Sequence, residues 1–128
     1  GHPAAAAAAL TNIAIMEREQ IPERVRTTGA YFERLMRGLM DIEMVGEVRG
    51  SHFMIGIEFV MDRATKASHP PEAEVGLKVA RACQKRGLIA RPLGNVLILS
   101  PTLIMDEPMI DEIEAILRDA IEEVAAGL

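Results

Sequence analysis

The chain has no tryptophan, one tyrosine and three phenylalanines in 128 residues, too few flat rings to stack on the bases of a nucleic acid. It also lacks any dense run of Lys or Arg, and its formal charge is -5, whereas binding a phosphate backbone demands a basic stripe that displaces counterions. Nucleic acid is therefore not an expected partner. A single cysteine, Cys83, rules out an internal disulfide and suits a reducing, cytoplasmic setting. No apolar run approaches the roughly 20 residues needed to cross a bilayer, so no membrane partner is expected either. The alanines from Ala4 to Ala9 are too few and too weakly apolar for that, and nothing basic precedes them as in a secretory signal.

What is present is the balance of a folded domain, 49% hydrophobic and 26% charged. The length suits one domain over residues 1–128, with one core. Gly1-His2-Pro3 has no initiator Met and enters a helical pattern at once, so the chain is expected to be part of something longer. Proline at the start and alanine behind it favour a first helix. Its small side chains bury little area, so it should lean on a neighbour in this chain or another. Pro22 interrupts the pattern and opens a second helix to about Met44, in which Val25, Gly29, Phe32, Leu35, Met36, Leu39 and Ile42 form the inward stripe.

Two apolar runs follow, Val45 to Arg49 and Phe53 to Met61, with Gly50-Ser51-His52 between them as a hairpin turn. Alternation puts Phe53, Ile55, Ile57 and Phe59 on one face and Met54, Gly56, Glu58 and Val60 on the other, and Gly56 leaves room for something to pack closely. Asp62 to Pro71 reads as a surface loop. A third helix is expected from about Glu72 to Arg86, stopped by Gly87, with Val75, Val79, Ala82 and Cys83 inward. A second hairpin turns at Gly94-Asn95, and Asp106 caps a final helix whose apolar face holds Ile110, Ile113, Leu117, Ile121 and Val124. The fold class that results is α+β, a small antiparallel or mixed sheet of about four strands with helices on one face.

Little of this points to chemistry. His2, His52 and His69 are scattered and no pair stands at ligand spacing, so no metal site is expected. Ser51, Ser68 and Ser100 have no strand-to-helix elbow around them, and the paired carboxylates are helix-face charges. Gly46, Gly50 and Gly56 surround a hairpin rather than a helix N-terminus, which excludes a phosphate cradle. His52 lies at a turn, where an exposed, idle imidazole is the ordinary case. The remaining candidate is Arg91, a guanidinium between two apolar runs. It can serve an acid of the chain, stand solvated at a rim, or take a substrate carboxylate in two-pronged fashion.

Several segments taken in order resemble class III pyridoxal-phosphate aminotransferases, the group of the omega-amino acid:pyruvate transaminases. They are Gly1-His2-Pro3 with its alanines, Val45-Gly46-Glu47-Val48-Arg49-Gly50, Met54-Ile55-Gly56-Ile57-Glu58, Asp62-Arg63-Ala64-Thr65-Lys66, Gly87-Leu88-Ile89 to Arg91, and Leu97 to Ile104. The resemblance implies the small C-terminal domain of a homodimeric fold type I enzyme that uses pyridoxal 5'-phosphate. It further implies that the large domain, which holds the Schiff-base lysine and most of the cofactor contacts, is absent, so that the chain alone is inactive. Lys66, Lys78 and Lys85 match no such motif. Arg91 matches an arginine that in many of these enzymes pairs with the substrate carboxylate. Thr102 departs from the pattern, standing where relatives often have a second proline after Pro101. The implied activity moves an amino group between an amine or omega-amino acid and a keto acid such as pyruvate. Alternatives are an aminomutase or decarboxylase of the same family, or a free-standing, non-catalytic binding module.

Overall fold

A computed structural model describes all 128 residues. The first helix, α1 (Pro3–Arg18), begins with proline as expected and buries none of its side chains. Gln20, held at φ 51, turns the chain into α2 (Ile21–Gly38), which sinks Ile21, Gly29, Phe32 and Met36. The helix expected to reach Met44 ends six residues earlier, in a 3-10 turn over Leu39–Asp41. Leu39 and Met44 are both buried. Five residues apart, they would face different ways on a continuous α-helix, and the tightened turn lets both reach the core.

The strands β1 (Val45–Ser51) and β2 (Met54–Asp62) pair antiparallel with Ser51 opposite Met54, so the turn is His52-Phe53, not Gly50-Ser51-His52. Contacts to α2 set that register. Glu33 accepts the His52 backbone N–H at 2.8 Å, and Arg37 donates to the carbonyls of Val48 at 2.8 Å and Gly50 at 3.1 Å. Phe53 then packs on Phe32 with ring centroids 5.6 Å apart. Gly50 adopts φ +115, and a Cβ there would lie against the Met54 carbonyl. Val60, expected on the outer face, is buried instead. The register shifts between Val45 and Glu47, and the Val60 methyls cover Gly46.

The segment expected to be loop contains a two-residue strand, β3 (Ala67–Ser68), that folds back on β2. Asp62 starts the turn by accepting the Thr65 N–H at 2.8 Å, which holds the Asp62 carboxyl below its usual range. After a 3-10 turn at Pro71–Ala73, α3 (Val75–Lys85) starts three residues later than expected, because Glu74 takes a left-handed conformation. Val75, Val79, Ala82 and Cys83 are buried. Next come β4 (Arg91–Leu93), β5 (Val96–Leu99) and α4 (Glu107–Ala126), the last capped by Asp106, which accepts the Met109 N–H at 3.1 Å.

The sheet is antiparallel throughout, in the order β1-β2-β5-β4 with β3 attached to β2, five strands in all. One core joins its inner residues Ile55, Ile57, Phe59, Leu97 and Leu99 to Phe32, Met36, Val79, Ile110, Leu117 and Ile121 of α2, α3 and α4. Helices thus cover one face, while Gly56, Val96 and Ile98 on the other are only partly covered.

Candidate functional site

The open face of the sheet carries the candidate site. Arg91 stands opposite Ile98, Ile98 opposite Gly56, and Gly56 opposite Arg49. Residues directly opposed in an antiparallel sheet share a face, so the four form one row running from β4 to β1.

The chain fixes Arg91 from both sides. Gly87, at φ +92, closes α3 with two hydrogen bonds, its own N–H to Gln84 at 3.1 Å and that of Leu88 to Cys83 at 3.0 Å. Pro92 follows, and a residue before proline is held extended. Proline also suits an edge strand, where an N–H can be spared. Beyond it the β4–β5 turn is pinned, since Asn95 donates to the His69 carbonyl at 2.7 Å and Gly76 of α3 lies against the Gly94 carbonyl. The guanidinium itself is exposed and makes neither an ion pair nor a hydrogen bond within the chain.

Arg49, at the other end of the row, is occupied. It pairs with Glu58 and, at 3.2 Å, with Glu47. The Glu58 hydrogen bond raises the Arg49 pKa above its ordinary value. Beside Arg49 a groove of about 370 Å³ lies over Gly56, walled by Met54, Leu93, Val96 and Ile98, and Arg91 is not among the residues that line it. The free guanidinium of Arg91, at the β4 end of the row, suits a carboxylate taken in two-pronged fashion.

The other residues weighed from sequence do not join this site. His52 lines a separate hollow with Met16, Val25 and Phe53, and its Nδ1 lies 2.6 Å from Ser51 Oγ. Glu33 is within 3.3 Å of that same hydroxyl. Serine and carboxylate crowd one ring nitrogen, whereas a relay needs them on opposite nitrogens. Cys83 is buried, and desolvation pushes its thiol up to about 11, which leaves it protonated and unreactive. Sequence reasoning missed the Arg49, Glu47 and Glu58 group, because only the true hairpin register brings Arg49 opposite Gly56.

An α+β unit with a helix-backed antiparallel sheet and an anion-ready arginine on its open face defines the class. The description Aminotransferase class-III matches residues 1–121, and the chain belongs to that family. It is 36% identical over 129 residues to a putrescine–pyruvate aminotransferase of Pseudomonas aeruginosa, an alignment covering 100% of this chain and 28% of that protein. A transaminase structure from directed evolution by ancestral reconstruction is 42% identical with a TM-score of 0.96, over 100% of this chain and 29% of that one. A PMP-bound aminotransferase of Vibrio fluvialis is 34% identical with a TM-score of 0.88, covering 92% of this chain and 26% of that one. The chain therefore spans a little over a quarter of the length of the curated relatives it matches.

The family implies pyridoxal phosphate as cofactor. The residues of this chain do not by themselves fit it. Lys66, Lys78 and Lys85 are all exposed, the first in the turn before β3 and the others on α3, and none borders the groove.

Proposed function

We propose that this chain is the small C-terminal domain of a cytoplasmic, homodimeric aminotransferase that moves an amino group between an amine or omega-amino acid and a keto acid such as pyruvate. Pyridoxal phosphate is held by polypeptide outside residues 1–128, so the chain alone is inactive. Its own contribution is Arg91, whose two N–H donors take the carboxylate of the amino acid or keto acid and fix its orientation. The unpaired, exposed guanidinium on a backbone pinned at both ends is the observation that supports this role. A side chain with no internal partner can also leave the site when the substrate has no acid, which suits an enzyme that takes both amines and amino acids.

The test is direct. The full-length protein, purified with pyridoxal phosphate and given pyruvate with an amine, should produce alanine in step with loss of the amine. Release of carbon dioxide or migration of the amino group within one molecule, with no alanine formed, would instead assign a decarboxylase or an aminomutase. No conversion of any kind would leave a binding module.

A further inference from the structure

We infer that a cleft between α3 and the C-terminal turns of α4, on the helix-covered side of the sheet, binds a diphosphate group through Lys78, Arg81 and Lys85. Neither Arg91 nor amino transfer enters this assignment.

The support lies in the cations that the chain leaves without a partner. Most are occupied: six arginines pair with carboxylates, Arg24 and Arg63 donate to backbone carbonyls, and Arg34 lies over the Tyr31 ring. Lys66, Lys78, Arg81, Lys85 and Arg91 make neither an ion pair nor a hydrogen bond. Three of these five border one cleft of about 260 Å³, whose lining also includes the small Ala82 and Gly127. Steps of three and four residues put Lys78, Arg81 and Lys85 on one exposed face of α3. Like charges at those steps destabilise a helix. Acids are plentiful in a chain of formal charge -5, yet only one carboxylate lines the cleft, Glu123, and Arg86 already holds it at 2.7 Å. An anion from outside the chain would balance the row. The planar fork of Arg81 suits phosphate oxygens, and the two ammonium groups add point charge. From Lys78 to Lys85 the row runs about 10 Å along the helix, so two linked phosphates fit it better than one. A concave cleft also favours a small molecule over an extended acidic segment.

Calorimetric titration of the full-length protein with inorganic diphosphate, phosphate and ADP, in buffer without divalent cations, tests this. The protein is first loaded with pyridoxal phosphate and freed of excess, so that any site for the cofactor's own phosphate is filled. Diphosphate and ADP should bind with comparable affinity, about tenfold tighter than phosphate, and added salt should weaken both. Arg81→Gln should weaken diphosphate binding about tenfold, as should Lys78→Gln and Lys85→Gln together. Lys66→Gln, which removes an exposed, unpaired cation outside the cleft, should change nothing. All four side chains are exposed and without partners, so their loss leaves the packing intact. No saturable binding of diphosphate, phosphate bound as tightly as diphosphate, or an affinity unchanged in both cleft variants would overturn the inference.

Discussion

Gly76 is the residue through which helix α3 touches the β4–β5 turn at the far end of the strand that Arg91 opens, and replacing it with alanine should loosen that turn. A Cβ at this position would sit 2.3 Å from the Gly94 carbonyl oxygen and 3.4 Å from that of Val96. Both neighbours are backbone, so no side chain can swing aside. Helix and turn must part by about an ångström to restore ordinary contact. Overpacking of this kind costs about 1–3 kcal/mol, and alanine's better helix propensity returns up to about 1 kcal/mol. The net loss is about 1–2 kcal/mol. At a urea slope of about 2 kcal/mol/M the midpoint should fall by roughly 0.5–1 M. Gly38→Ala is the matched control, since it lies at the end of α2 with αR backbone and nothing within 4 Å of its Cβ. That change should raise stability by about 0.5–1 kcal/mol. Urea denaturation of the 128-residue chain, followed by far-UV circular dichroism, reads both. A Gly76→Ala midpoint equal to or above that of the unsubstituted chain would refute the close approach of α3 to the β4–β5 turn.

The remaining expectations concern anchoring and reactivity. The His52 backbone N–H, then Arg37, hold the Glu33 carboxyl below its usual value. Its stabilisation is therefore complete above the unfolded pKa of about 4.3 and is lost as pH falls through the lower folded value; Glu33→Gln should flatten the acid limb of a stability-against-pH curve, and an unaltered limb would contradict the clamp. Asp106→Ala removes the cap of α4 and should cost about 1 kcal/mol in urea unfolding, a result near zero showing the cap to be idle. Cys83, with its thiol at about 11 and fully buried, should ignore a thiol-disulfide reagent at pH 8 until urea exposes it, and rapid labelling of the native chain would contradict its burial.

Much of the fold is legible in apolar period. The inward stripe of α2, the alternation of Phe53 to Phe59 and the Asp106 cap follow from side-chain chemistry along the chain. The first hairpin register does not. A three-residue turn at Gly50-Ser51-His52 would set Arg49 opposite Phe53, on the core face, whereas the two-residue turn sets it opposite Gly56 on the open face. The choice is made by Glu33 and Arg37, residues far along the sequence that bind the turn's backbone. Strand β3 was illegible for a related reason, since two residues carry no period and its pairing depends on the Asp62 turn. Arg91 was visible as a lone cation beside a proline. Its place in a row with Gly56 and Arg49, and the occupation of Arg49 by two glutamates, needed the sheet.

The most direct test of Arg91 as a carboxylate holder is the ratio of kcat/KM for an omega-amino acid to that for an amine of similar size without the acid, measured on the full-length enzyme before and after Arg91→Ala. Loss of hydrogen bonds to a charged group is worth about 1.5–3 kcal/mol, so the ratio should fall roughly 10- to 150-fold while the simple amine is little affected. Equal losses for both substrates, or none for either, would contradict the role.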